Sequence, residues 1–314
     1  MIISASRRTD LPSYYSEWFI NRIKEEYVLV RNPMNIHQIG KISLSPDVVD
    51  GMVIWTKNPL PLMNQLKELG KYNYYFQFTL TSYGRDVEPN LPSKNKELIP
   101  GFCKLSEIIG KERVIWRYDP IFINDTYTME YHKKYFGVLA AKLAPYTEKC
   151  TVSFIDLYKK TARNIKPLGI REPSIEEQIE LLSEFTKIAQ SYGIYIDTCA
   201  EEGDFSQLGI GHAHCIDKER FERIGKYHLD VKKDAKQRAV CGCMSSIDIG
   251  TYNTCKNGCV YCYANYSKAT VQNQTKYHDP YSPLLFGTVG PDDVIKERKM
   301  NSLVCNQLTF DDFI

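Results

Sequence analysis

Residues 254–265 read TCKNGCVYCYAN and place cysteines at 255, 259 and 262 with C-x3-C-x2-C spacing. Three thiolates on one short loop can each ligate one iron of a cubane [4Fe–4S] cluster and leave the fourth iron without a protein ligand. Gly258 permits a tight turn between the first two cysteines. The rival chemistry is a structural zinc, which would need a fourth ligand from elsewhere, with His278 as the candidate, or a set of reduced, unligated thiols.

A second group lies just upstream: Cys199, Cys215, Cys241 and Cys243. Four thiolates complete the ligand set of a second [4Fe–4S] cluster or of a structural zinc. Alternatively these are free thiols, with Cys241-Gly242-Cys243 forming a redox pair. His212 and His214 are nearby and read as solvated or hydrogen-bonded. Residues 199–243 carry little apolar content, so metal ligation would supply stability that the segment lacks.

Seven of the ten cysteines fall between 199 and 262, while Cys103, Cys150 and Cys305 stand apart. The chain reads as cytoplasmic, where thiols stay reduced and such clustering points to metal or redox chemistry. Its start, MIISASRRTDLP, puts a short apolar run before the arginine pair, the reverse of a secretory or twin-arginine signal. No apolar run approaches the ~20 residues that span a bilayer, so no membrane partner is expected. A net charge of +2 provides no general attraction to nucleic acid, leaving that partner open but not indicated. At 314 residues with 43% apolar content, the chain can bury one large α/β core or two smaller ones.

The elements that would position these residues alternate along the first two hundred positions. Strands are expected at Ile2–Ser6, Met52–Lys57, Tyr74–Thr81, Arg113–Asp119, Thr151–Asp156 and Ile194–Thr198, as near-continuous apolar runs suited to strands covered on both faces. Helices are expected at Ser13–Glu25, Leu98–Gly110, Glu130–Ala144 and Ser174–Tyr192, the last with a Ser174/Glu177 capping box and Gly193 beyond its end. Alternation of this kind predicts a parallel sheet, doubly wound or closed as a (β/α) barrel. A hairpin, YVLVRNP to IGKISLS through Met34–Gln38, interrupts it. After residue 198 one helix, Asp217–Lys226, and one strand, 245–253, are expected, the latter leading into the triplet. The tail after Lys268 reads as a polar surface run. The organisation expected is thus 1–198 as the main barrel, 199–243 as a cysteine-rich second metal site, and 244–314 as the cluster strand and tail.

Cys255, Cys259, Tyr261 and Cys262 match C-x3-C-x-aromatic-C, the signature of the radical SAM superfamily, which this sequence resembles. The continuation CYA is similar to members related to spore photoproduct lyase. The resemblance implies a (β/α) barrel and a [4Fe–4S] cluster whose open iron chelates S-adenosylmethionine. It further implies one-electron cleavage of that cofactor to a 5′-deoxyadenosyl radical, an unknown substrate, and an electron donor such as flavodoxin or ferredoxin. Two departures stand out. The triplet follows the last strand rather than the first, which a circular permutation would accommodate. The whole chain is similar to a family with such a cysteine cluster at the C-terminal end. The usual glycine-glycine-acid motif is also absent, and Ser6-Arg7-Arg8-Thr9-Asp10 holds its place.

The resemblance therefore assigns the cofactor's amine to Asp10 and its carboxylate to Arg7 or Arg8; otherwise Asp10 or Ser13 simply caps the following helix. Thr56-Lys57-Asn58-Pro59 looks like a T-K-x-P segment of the lyase-like members, making Lys57 a second candidate for the carboxylate, or else a solvated lysine. Chemistry in a barrel gathers at the C-terminal ends of strands. Gln77, Thr79 and Thr81 alternate along one strand and are candidates to face the interior. Arg117 and Asp119 share parity, as a structural ion pair or a substrate anchor. Asp156 and Asp197 also end strands. The rival function is a non-catalytic iron–sulfur or zinc protein, an electron carrier or metal-stabilised binding module. The permutation makes a geometric claim: residues 7–10 and 255–262 should share one rim, on parallel neighbouring strands.

Overall fold

The computed structural model describes residues 1–157 and 161–305; the last nine positions of the 244–314 segment lie outside the described residues. The strands are β1 Ile2–Ala5, β2 Tyr27–Asn32, β3 Asn35–Ser43, β4 Gly51–Thr56, β5 Tyr74–Thr79, β6 Val114–Ile121, β7 Lys149–Phe154, β8 Tyr195–Thr198, β9 Gly211–His212, β10 His228–Leu229, β11 Ile247–Asp248, β12 Val294–Glu297 and β13 Val304–Cys305. The α-helices are α1 Leu11–Tyr14, α2 Ser16–Glu25, α3 Leu60–Met63, α4 Ile99–Ile109, α5 Met129–Leu143, α6 Ala162–Ile165, α7 Ile175–Ser191, α8 Lys218–Gly225 and α9 Lys268–Thr275.

Eight strands form one parallel sheet in the order β11-β1-β4-β5-β6-β7-β8-β9. Only β11 breaks chain order: it comes from the far end of the sequence and pairs with β1, Ile3 opposite Ile247 and Ser4 opposite Asp248. Among the described residues no pairing joins β9 to β11. Helices flank this sheet, and the protein is an α/β protein on that ground. Alternate residues of the strands, such as Ile3, Met52, Phe76, Trp116 and Val152, enter one large core with Phe19, Phe102, Phe136 and Phe185 from the helices.

The opposite face is filled by the 199–243 segment. Ile2, Val53, Tyr75 and Ile115 pack with Cys215, Ile216, Phe221 and Leu229. The Phe221 ring presses so closely on Gly51 that an added Cβ there would collide with it. The segment therefore shares an apolar core with the sheet, more than its low apolar content suggested. Asp217 caps α8, accepting from the Arg220 amide at 3.2 Å.

Several expected elements differ in extent. The expected strand 245–253 is only Ile247–Asp248, because the Asp248 carboxylate captures the Arg7 and Gly250 amides that would extend a ladder. The expected helix Ser13–Glu25 is two helices broken at Tyr15, whose hydroxyl donates 2.6 Å to the Thr254 carbonyl. The hairpin turn is tighter than Met34–Gln38: Asn32 pairs with Asn35, and the Asn32 side chain accepts from the Met34 amide. α7 carries the full capping box of Ser174 and Glu177.

The tail is not a plain surface run. After α9, Trp18 and Arg22 of α2 donate to the carbonyls of Ser282 and Tyr281, and Leu284, Leu285 and Phe286 are buried. β12 then adds to the hairpin, parallel to β3. No described helix is long and apolar enough to cross a membrane.

Candidate functional site

All eight strands of the large sheet run the same way, so their C-terminal ends share one rim. A cavity of about 560 Å³ opens there. Every strand contributes to it: Ser6–Asp10 after β1, Trp55–Lys57 at β4, Thr79 at β5, Arg117, Asp119 and Pro120 in β6, Ser153–Asp156 at β7, Cys199 after β8, Cys215 beyond β9, and Asp248 with the cluster loop at β11. Both cysteine sets face this one space: Cys255, Cys259 and Cys262 on one side, Cys199, Cys215, Cys241 and Cys243 on the other. Residues 7–10 and 255–262 thus meet at one rim although over 240 positions separate them.

The cluster loop is held by backbone contacts and by three side-chain hubs. Gly258 takes φ +72°, where an L side chain is strained. The Asn265 amide donates 2.7 Å to the Cys255 carbonyl, and Asn90 does the same to Lys256.

Asp10 is the first hub. One carboxylate oxygen accepts from the Ser13 amide (3.1 Å) and the Thr56 hydroxyl (2.8 Å); the other accepts from the Lys57 amide (2.8 Å) and the Asn257 side chain (3.0 Å). It ties β1, β4 and the cluster loop together. With each oxygen doubly occupied, Asp10 serves here as a cross-link and as the helix cap that the sequence offered as the alternative to a cofactor contact. Burial raises its pKa against those bonds.

Glu88 is the second hub. Its buried carboxylate lies 2.8 Å from Lys57 Nζ and 2.5 Å from Lys94 Nζ, and accepts from Thr81 and from the Tyr261 hydroxyl. Burial would raise its pKa, but the two lysine charges outweigh that and hold it at about 2. Burial also works against the charge of Lys57, and Glu88 overrides it, so Lys57 is raised; at Lys94 burial prevails and the pKa falls. Lys57 is therefore a buried ion-pair partner at the cavity wall and not the solvated lysine of one expectation. Tyr261, the aromatic residue of the cysteine motif, fastens the loop to this network.

Asp248 is the third hub. It accepts from Ser4 and Ser6 hydroxyls at 2.9 and 2.6 Å and from the Arg7 and Gly250 amides at 2.8 and 2.9 Å. The two arginines diverge. Arg8 donates to the Gly250 carbonyl and lies over Tyr252. Arg7 lies against Trp55, and its electrostatic neighbours are Cys243, Asp248, Tyr263 and Cys215.

Arg117 and Asp119 do form an ion pair, with Nε 3.0 Å from the carboxylate, and Arg117 Nη1 donates 2.9 Å to Cys215 Sγ. Cys199 Sγ lies 3.2 Å from Cys215 Sγ. Hydrogen bonds from Cys199 and Cys243, with Arg117 beside them, pull Cys215 well below the ordinary thiol range despite burial. Burial pushes Cys255 and Cys259 up, Cys259 to about 12 against the pull of Lys57. Metal binding at the triplet would therefore expel protons.

Other expectations fall differently. Gln77 is buried behind the cavity, its amide donating 2.9 Å to the Cys215 carbonyl, so it is a support and not a cofactor contact. Thr79 lines the cavity, whereas Thr81 lies beyond its strand on Glu88. Asp197 is buried against Lys149 and Thr151, and Asp156 pairs with Arg238 at the cavity wall. His278 Nδ1 meets the Leu285 carbonyl at 3.0 Å, off the cavity lining, so the fourth-ligand assignment does not hold; His212 and His214 are exposed. Sequence reading missed Glu88, Asn257 and Asp248. Asp248 alone carried a signal, a single carboxylate in the apolar stretch SSIDIG.

Among the described residues no three histidine, cysteine or carboxylate groups converge where a single ion would sit. A cubane's thiolates bind separate irons, so they surround a volume rather than a point. Lining one cavity meets that condition for the triplet; at the second set Cys199 Sγ and Cys215 Sγ are only 3.2 Å apart, nearer than thiolates on separate irons would stand.

The fold and site define an α/β protein whose two cysteine sets share the C-terminal rim of a parallel sheet. The chain belongs to the family described as Domain of unknown function (DUF1848), which matches residues 2–264 and so takes in both cysteine sets. No curated protein and no solved structure matches it.

Proposed function

We propose that this chain is a radical SAM-type enzyme on a circularly permuted (β/α) barrel, open between β9 and β11. The order of the large sheet supports this, since it becomes chain order when β11 is counted first. Such a cluster, bound with S-adenosylmethionine, supplies one-electron cleavage to methionine and a 5′-deoxyadenosyl radical that abstracts hydrogen from substrate.

The observation that carries the proposal is the shared rim. Cys255, Cys259 and Cys262 line the same cavity as Arg7, Arg8, Thr79, Arg117 and Asp119, where an electron carrier needs no pocket. The chain's residues divide the work. Asp10, Asn257 and the Glu88–Tyr261 contact fix the loop so that three thiols present together. Arg8 and Tyr263 stand beside the loop, Tyr263 donating 2.8 Å to the Arg7 carbonyl, and would hold the polar ends of the cofactor. Cys199, Cys215, Cys241 and Cys243 would hold a second [4Fe–4S] cluster or a zinc. The substrate would lie between the two sets, and a one-electron donor of the flavodoxin or ferredoxin kind would serve the triplet.

One observation favours the non-catalytic reading: Asp10 and Lys57, both assigned to the cofactor by resemblance, already have partners within the protein. Cofactor cleavage separates the two. Protein reconstituted without oxygen and reduced with dithionite should convert S-adenosylmethionine to 5′-deoxyadenosine, and Cys259→Ala should not. Iron-loaded parent that produces no deoxyadenosine would leave the non-catalytic reading in place.

A further inference from the structure

We propose that Cys199 and Cys215 are a dithiol–disulfide pair facing the cavity, which exchanges two electrons with a low-molecular-weight disulfide such as oxidised glutathione. The proposal does not rest on the chemistry proposed for the triplet. Metal at the second set and this disulfide would use the same sulfurs, so each excludes the other.

The sheet fixes where the two sulfurs stand. Cys199 follows β8 and Cys215 lies beyond β9, two strands paired in parallel with Thr198 opposite His212. The Cys199 amide donates 2.8 Å to the Val152 carbonyl, and the Ala213 amide donates 2.7 Å to the Thr198 carbonyl. The Cys215 carbonyl accepts from the Tyr75 hydroxyl at 2.8 Å and from the Gln77 side chain at 2.9 Å. With both backbones tied down, the 3.2 Å between the Sγ atoms is a property of the fold. A disulfide bond is about 2.05 Å long, which leaves roughly 1 Å for the two side chains to close. The pair thus joins two strands and is not the Cys241-Gly242-Cys243 pair that spacing offered.

Arg117 makes the two sulfurs unequal. It is buried, and its Nη1 donates 2.9 Å to Cys215 Sγ. A guanidinium N–H on one sulfur favours its thiolate, and the thiolate is the attacking form. Both sulfurs line the cavity, which gives a small disulfide its way in. Cys215 Sγ attacks one sulfur of that disulfide, the S–S bond of the small molecule breaks, and the first thiolate leaves with the proton of Cys199. Cys199 Sγ then attacks Cys215 Sγ and expels the second thiolate, which takes from solvent the proton that Cys215 had released. Two protein thiols are oxidised to one disulfide, and one small disulfide is reduced to two thiols.

The test is peptide mapping of the full chain, reduced, stripped of metal with a chelator and equilibrated without oxygen in mixtures of reduced and oxidised glutathione before the remaining thiols are alkylated. The expected product links the peptides of Cys199 and Cys215, is reversed by excess reduced glutathione, and still forms when Cys255, Cys259 and Cys262 are replaced together. Cys199→Ser should stop the reaction at a mixed disulfide between Cys215 and glutathione. Arg117→Gln should slow that capture about tenfold at pH 7, and Arg117→Lys should restore part of the rate. Cys199→Ser carries the test if the buried Arg117 variants do not fold. No link between Cys199 and Cys215, or a link between Cys241 and Cys243 in its place, overturns the proposal. Cofactor cleavage without the Cys199–Cys215 link would sink this proposal alone, and the link without cofactor cleavage would sink the enzyme reading alone.

Discussion

Replacing Glu88 with glutamine removes one buried charge and strands two. The carboxylate is 2% exposed and lies between Lys57 Nζ at 2.8 Å and Lys94 Nζ at 2.5 Å. Its pKa of about 2, against an ordinary 4.5, is a difference of roughly 2.5 units. At 1.36 kcal/mol per unit this corresponds to about 3 kcal/mol of stability. Breaking a buried pair from one side costs about 3–5 kcal/mol by comparison with other proteins, so the two routes agree. Because the folded pKa is depressed, this stability is fully present above pH 4.5 and is lost as pH falls through that value toward 2. Urea unfolding at pH 7 should show the glutamine variant about 3 kcal/mol less stable. Between pH 5 and 3 the parent should lose stability faster than the variant. The Tyr261 hydroxyl would lose its charged acceptor, so iron loaded on the triplet should also leave faster to a chelator. A variant within about 1 kcal/mol of the parent at pH 7, with the same acid slope, would show that Lys57 and Lys94 are not held by Glu88.

Metal content separates one site from two: a parent with two cubanes should hold about eight irons, and one with a cubane and a zinc about four irons and one zinc. Replacing Cys241 and Cys243 should remove only the second centre. Gly51→Ala should destabilise by about 1–3 kcal/mol in urea, because the new methyl meets the Phe221 ring in a packed core; Phe221→Leu in the same chain should recover part of the loss. His132 is buried between Tyr118 and the Phe122 carbonyl, and burial lowers its pKa to about 4 from 6.5. Its contribution is present above pH 6.5 and lost as pH falls toward 4, about 3 kcal/mol in all; a His132→Gln variant should have a flatter stability profile across that window.

The sequence alone determined where the cysteines gather and where most of the strands and helices of the large sheet lie. Cysteine spacing within 255–262 is local, and a loop that short must bring its thiols close wherever the fold puts it. The near-continuous apolar runs at 52–57, 74–79 and 114–119 likewise report strands, because burial on both faces favours apolar side chains along most of the strand. The capping box at Ser174 was legible for the same reason, since a helix start is set by residues three apart. Tertiary structure decided the rest. That Asp10, Lys57, Glu88 and Asn257 form one network depends on the register of β1 against β4 and on where the 255–262 loop returns, and no local pattern encodes it. The same holds for the cysteines at 199 and 215: one follows β8 and the other lies beyond β9, and only the sheet brings their sulfurs within 3.2 Å of each other. Lys57 illustrates the difference most plainly. Its sequence context allowed a solvated lysine or a cofactor ligand; a carboxylate thirty-one positions away holds it as a buried ion pair, because an ammonium taken out of water unpaired is costly.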